Sequence, residues 1–324
     1  MTNHDKPEKD IRDKVSEWLS NEGYPLEFFS ASTFHNNGFY VRQGYYVQDL
    51  HSDSPREIDI LAELTSFSPE PSFLRICYVV ECKWSGDKPW VVFTSRHHQI
   101  AESACIAQTI GSEVGEAILW SLAGDKTFQS LNTFSTPETP GFNGRQVFSK
   151  SNDVFYNAMQ SVASAANSLA KEYNRGNRSL QDTLDAAVII LPVIVLDGLL
   201  FKASFNETNG QIELESANQI RIHWRGAESS KFPFTTIDIV TSEKLDAFTK
   251  QRSKEANYML RHMAKTLEIF QECVKQNSLA PLSLQKAPRG MMGLPPFLAK
   301  IRALAQDEKS NLRKRISSSN EQQP

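Results

Sequence analysis

Pro55-Arg56-Glu57-Ile58-Asp59-Ile60-Leu61-Ala62-Glu63-Leu64, a break rich in proline and serine, then Phe73-Leu74-Arg75-Ile76-Cys77-Tyr78-Val79-Val80-Glu81-Cys82-Lys83-Trp84: the rest of the 324-residue chain is arranged around this stretch. Two apolar, β-branched runs on either side of a turn cluster predict strand, turn, strand. In the first run Ile58, Ile60, Ala62 and Leu64 alternate with Glu57, Asp59, Leu61 and Glu63, so one face is expected to be buried and Asp59 to look toward the other. In the second, Ile76 to Val80 is nearly all apolar, as in a strand buried in the middle of a sheet. Glu81 and Lys83 lie two residues apart and so share a face, with Cys82 on the opposite one. A carboxylate and an ammonium at the end of a buried strand are costly to desolvate, which calls for partners or a chemical role.

Asp59 and Glu81 can supply hard oxygen ligands to Mg²⁺ or Mn²⁺; Mg²⁺ keeps several waters and takes one or two protein carboxylates. Such an ion polarises a phosphoryl oxygen and acidifies a bound water. Lys83, a compact point charge, can orient that water and offset the charge that builds on the attacked phosphate. Two carboxylates and a lysine at adjacent strand ends are a minimal site for phosphodiester hydrolysis.

Asp59 on one strand, followed about twenty residues later by Glu81-Cys82-Lys83 on the next, resembles the PD-(D/E)XK nuclease superfamily. The strings Glu57-Ile58-Asp59-Ile60-Leu61-Ala62 and Val79-Val80-Glu81-Cys82-Lys83 are most similar to its Mrr-type and resolvase-type members, and Ile58 stands where the family's name has proline. The resemblance covers roughly the first half of the chain. It implies an α/β fold with a restriction-endonuclease-like central mixed β-sheet flanked by helices, in the order helix–strand–strand–strand–helix–strand. Residues 1–250 would form this domain, with a loop-rich insertion around 124–150. Residues 251–324 would be a basic helical C-terminal extension with a disordered tail. The resemblance also implies DNA as substrate and a role in restriction, repair or phage defence, with a second copy or a defence-complex subunit as partner. In many members the helix before the first strand lends an acidic residue to the metal site, and Glu17 is the position that matches. The same fold retained as a catalytically silent module that binds nucleic acid or a partner protein is the alternative.

Composition fits a soluble globular protein: 40% of residues are hydrophobic and 23% charged, too apolar for a disordered chain. Cys77, Cys82, Cys105 and Cys273 show no paired metal-type spacing and read as reduced, buried thiols. The N-terminus is polar, without a secretory signal. The most apolar run, Ala186 to Leu200, is interrupted by Pro192 and Asp197 and is too short for a bilayer, so a cytoplasmic protein is expected. Net charge is −3, yet from Lys250 onward 14 Lys/Arg stand against 6 Asp/Glu, giving +8 there and −11 for the remainder. That basic end reads equally as an appendage that meets phosphates or as a solvated helical surface.

Elsewhere, Ile11, Val15, Trp18 and Leu19 predict a helix over 10–20, and 23–25 and 30–38 read as loop. Residues 39–50 predict a first strand with Gly44 as a candidate bulge, 99–111 a short helix, 152–173 a strong helix carrying Gln160, and 187–196 a buried strand that needs an edge, a bulge or a break at Pro192. Asn209-Gly210 signals a hairpin, and helices are expected from 243, over 254–275 and over 298–316. Adjacent His97 and His98 point apart on a helix and lack a third donor, so zinc is not expected.

Overall fold

In the computed structural model, β1 (Tyr40–Gln48), β2 (Pro55–Ser66) and β3 (Phe73–Trp84) form an antiparallel meander. The structure describes residues 5–49, 54–67, 72–149, 154–175, 179–225, 234–284 and 294–320. β6 (Ala186–Asp197) lies parallel to β3 along its whole length, from Phe73↔Ala186 to Trp84↔Asp197. Both strands are apolar on both faces, which is what a central parallel pair covered by helices requires. β10 (Thr235–Thr241) runs parallel to β6, and β9 (Gln219–Trp224) antiparallel to β10. With β4 (Trp90–Thr94), β5 (Gly141–Gln146), β7 (Leu200–Asn206) and β8 (Gln211–Ser216), the described strands form one ten-stranded mixed sheet in the order β1-β2-β3-β6-β10-β9-β5-β4-β7-β8. Only Gly198 and Leu199 separate β6 from β7, so the sheet curls round until its far end returns beside the chain that leaves β6.

Helices cover both faces. On one side α6 (Val154–Asn174) buries Phe155, Met159, Val162, Ala166 and Leu169 against Leu61, Val79, Ile190 and Ile194. On the other, α2 (Tyr24–Asn36), α4 (Glu113–Leu122) and α8 (Leu245–Lys275) pack over Ile60, Ile76, Tyr78 and Val80. The large mixed sheet flanked by helices agrees with the expected α/β class, but the expected order of helix, three strands, helix and strand is interrupted: between β3 and β6 the chain also forms β4, α3 (Glu102–Ala107), α4, α5 (Lys126–Gln129), β5 and α7 (Leu180–Leu184) besides α6.

Several elements differ from the sequence expectation. The segment read as loop over 23–25 and 30–38 is α2. Its Ser, Thr and Asn residues disguise a buried stripe of Leu26, Ser30, Thr33 and Phe34 at helical spacing, and Pro25 sits in its first turn. In α1 (Asp5–Asn21) the apolar stripe Ile11, Val15, Trp18 and Leu19 is exposed rather than packed. Gly44 adds no extra residue: pairing runs in step on either side of it, Gln43↔Ile60 and Tyr45↔Ile58. The loop-rich insertion contains α5 and β5, and Phe128 and Phe134 within it are buried in the main core; residues 150–153 lie outside the described set. Helix in the 99–111 segment is confined to α3.

Pro192 neither breaks nor exiles β6. On the side away from β3, Val188 N–H donates to Ser112 Oγ and Ile190 N–H to the Ile110 carbonyl, while β10 becomes the neighbour only from Val193. The missing amide falls where one neighbour ends and the next begins. The boundary expected at 250 falls inside α8, a single 31-residue helix whose Met259, Met263, Leu267 and Phe270 share a core with Tyr78. α9 (Pro296–Asn320) extends into the tail expected to be disordered, and 321–324 lie outside the described residues. Phe297, Leu298 and Ile301 at its start are fully buried. No helix among the described residues is long and apolar enough to cross a membrane.

Candidate active site

The site forms where β2 parts from β3. Their pairing runs from Ser66↔Leu74 to Ile60↔Val80 and stops there, while β3 continues against β6 for four more residues. The next amide of β3 toward the gap, Cys82 N–H, would lack a strand partner; the Asp59 carboxylate supplies one, with Oδ2 accepting at 2.7 Å. The pleat also reverses at this level. Val41 and Ala62 pack on the α8 side, whereas Tyr45 and Ile58, of the same parity, pack on the α6 side. Gly44, opposite Asp59 in this register, takes a left-handed φ of 57° that a side chain would strain. The uniform alternation expected for Ile58 and Ile60 is thus broken at Asp59, whose side chain reaches along the sheet into the fork.

Glu81 and Lys83 stand on the same face of β3, as their spacing predicts. Lys83 Nζ lies 2.6 Å from Glu81 Oε1, and Ser161 Oγ of α6 donates to Glu81 Oε2 at 3.0 Å. Burial and the nearby Glu81 push the Asp59 carboxyl up to about 7, against the opposing pull of the Cys82 amide and Lys83. Burial alone would lower the Lys83 ammonium, but Glu81 and Asp59 outweigh it and the group is raised, hence charged. The Cys82 thiol, buried beside Asp59, is pushed far up and is inert. All four cysteines are free and buried.

The helical carboxylate near the cluster is Glu27 of α2. Burial raises it first, then Glu57 of β2; Lys83 pulls it down and Glu81 up, so it senses the same charges. Glu17, the residue singled out from sequence, lies exposed on α1, and the Asp59 environment is set by Glu81, Lys83 and Glu27 instead. Glu27 was hidden because its helix reads as loop; the spacing of Leu26, Ser30 and Phe34 was the signal that could have found it. On α6, sequence points to Gln160, whereas the bond to Glu81 comes from its neighbour Ser161. Beside the fork, Arg56 binds Asp49 at 2.5 Å, and the exposed Glu57 accepts from the Tyr46 hydroxyl.

Among the described residues no group of three or more His, Cys, Asp or Glu is placed to hold a metal ion. His97 approaches Glu207 and His98 stacks on Phe142, so the two rings diverge. Asp59 and Glu81 together do fit an oxygen-loving dication that keeps most of its water. Glu81 is one of the causes that raise the Asp59 carboxyl, and a cation between the two would relieve that repulsion.

A second charged cluster, which sequence reading did not find, lies on the α8 side. Asp238 of β10 accepts two bonds from Arg221 of β9 (2.9 and 2.7 Å) and one from Arg252 of α8 (2.9 Å). Arg252 also binds Glu255, which accepts from the amides of Asn132 and Thr133 and from the Thr133 hydroxyl. Arg221 closes the ring on the carbonyls of Asn132 and Ser135. Its donors and acceptors are spent on one another, which marks it as a clamp of the fold. Compared with family models, curated proteins and solved structures, the chain matches no family, no curated protein and no solved structure.

Proposed function

We propose that the chain is a metal-dependent nuclease of the PD-(D/E)XK type that hydrolyses DNA phosphodiester bonds. The observation that carries this reading is the meeting of Asp59, Glu81 and Lys83 at one fork between β2 and β3, with the Asp59 carboxyl raised to about 7 by burial and by Glu81. The order α2-β1-β2-β3-α6-β6, with β3 and β6 parallel, supports the restriction-endonuclease-like assignment.

Asp59 and Glu81 would hold Mg²⁺ or Mn²⁺, which when bound polarises a phosphoryl oxygen and acidifies water. Ser161 and the Cys82 amide each fix one oxygen of those carboxylates, so both are oriented before any ion arrives. Lys83, charged and held within 2.6 Å of Glu81, presents its remaining ammonium hydrogens to the attacking water and to the phosphate that gains charge. Restriction, repair or phage defence remains the proposed setting, with a second copy or a defence complex as partner.

Supercoiled plasmid incubated with Mn²⁺ or Mg²⁺ tests the reading. Wild type should nick it, while Asp59→Ala and Lys83→Ala should each lose about 100-fold or more while keeping their thermal unfolding transition. Absence of nicking by wild type in both metals would remove the enzyme. A silent binding module is the second reading, and one observation favours it: both Glu81 oxygens already have protein partners, Lys83 and Ser161, as in a structural ion pair.

A further inference from the structure

Two exposed aromatic residues lie close in register to the fork. Trp84 directly follows Lys83 at the end of β3, on the Cys82 face of the strand, and is 63% exposed. Its ring lies against the turn after β3: a methyl group on Gly86 would sit 3.2 Å from ring atoms Cζ2 and Cη2. The turn is pinned by Ser85 N–H to the Asp197 carbonyl and Lys88 N–H to the Ser85 carbonyl, both at 3.0 Å. The indole therefore lies beside the main chain of this turn while most of it is open to solvent and available to a stacking partner. On the outer strand, Tyr46 is 57% exposed and tethered through its hydroxyl to Glu57, which in turn acts on Glu27 beside the cluster.

The charges at the fork point the same way. Among the described residues, Lys83 is the cation acting on Glu27 and Asp59, against the carboxylates of Glu81 on both and of Glu57 on Glu27. The buried start of the basic helix α9 is anchored at the opposite end of the strands, where Lys300 pairs with Glu113 of α4 and Ser112 bonds the start of β6. Duplex DNA is gripped chiefly through phosphates by Lys and Arg. Unpaired strands are gripped by stacking of bases on aromatic rings, which does not depend on a cationic track alone. Among the described residues, Lys83 is the cation that acts on the carboxylates of the fork, and the rings beside it supply what a phosphate track would not.

We propose that this site takes unpaired nucleic acid, a single strand or a frayed end, with a base stacked on Trp84 and Tyr46 as a secondary platform. The inference rests on the nuclease reading of the same site and names its substrate class. The test uses the full chain with one oligonucleotide sequence presented single-stranded and as duplex in Mn²⁺, together with binding of fluorescent oligo(dT) without divalent metal. Wild type should cleave the single strand at least about tenfold faster than the duplex. Trp84→Ala should weaken oligo(dT) binding about tenfold or more while its thermal unfolding stays in place, and Trp84→Phe should retain most of it. Equal cleavage of both forms, or oligo(dT) affinity unchanged in Trp84→Ala, overturns the substrate class and leaves the hydrolase intact. Cleavage of neither form, with oligo(dT) binding still dependent on Trp84, removes the hydrolase and keeps the stacking site. Neither cleavage nor oligo(dT) binding by wild type overturns both.

Discussion

Asp59 is the residue at which local sequence and long-range structure meet. Its carboxyl, raised to about 7 by burial and by Glu81, keeps a proton in the folded protein that the unfolded chain releases near the ordinary carboxylate value of about 4. Between those two values the folded state binds more protons than the unfolded one, so this group makes stability fall as pH rises, and the loss is complete above about 7. Asp59→Asn removes the charge while its amide oxygen can still accept from Cys82. In metal-free buffer we expect the variant to match wild type near pH 4 and to be more stable by about 1–3 kcal/mol at pH 8. Added Mg²⁺ should raise the wild-type unfolding temperature at pH 8 and leave the variant unmoved. Parallel stability curves over this range would mean that Asp59 is not in the uncompensated environment described. Asp59, Glu81 and Lys83 were each legible in sequence as charges set in apolar strands. Glu27 and Ser161 were not, because nothing local distinguishes them from surface residues of their helices.

At the scale of elements, the strands of the meander and β6 follow from their apolar runs, whereas α2 reads as loop and α8 as two separate segments. Polar residues in α2 and the charged stretch of α8 around 250 conceal helices whose stability comes from packing rather than propensity. The basic end of the chain is likewise two things in one helix. Phe297, Leu298 and Ile301 are core residues, while the cationic part of α9 beyond Arg302 is exposed where described. A chain ending at Pro296 should lose several kcal/mol, since deleting even one large buried side chain costs about 3–5 kcal/mol. A chain ending at Leu304 keeps those residues and the Lys300–Glu113 pair, and its unfolding temperature should stay within about 3 °C of wild type. Thermal denaturation of the two truncations checks this; equal stability would show that the start of α9 contributes no core.

Across the whole molecule, the clamp of Arg221, Asp238, Arg252 and Glu255 ties β9, β10, α8 and the 132–135 segment into one body. Burial alone would raise the Asp238 carboxyl, but Arg221 and Arg252 outweigh it and hold it below the usual range, so the group stays ionised. Arg252 is 2% exposed, and Arg252→Met would strand Glu255 without its cation and leave Asp238 with one guanidinium. We expect a loss of about 3–5 kcal/mol in urea unfolding, because removing one partner of a buried ion pair leaves an uncompensated charge. A loss below about 1 kcal/mol would mean that water replaces the guanidinium at little cost.

The sequence by itself determined the buried strands, the α6 face and the identity of three charged residues at the end of the central strands. These are written in apolar periodicity, which is a property of neighbouring residues. The tertiary structure alone decided that Asp59 fills the fork, that Glu27 and not Glu17 accompanies it, and that α8 is a layer of the core. It alone brought Ser161 to Glu81 across 80 residues, and Glu255 to Thr133 across 122. The reason is that a buried polar group is stabilised by whichever partner the folded chain delivers, and that delivery depends on contacts between segments far apart in sequence.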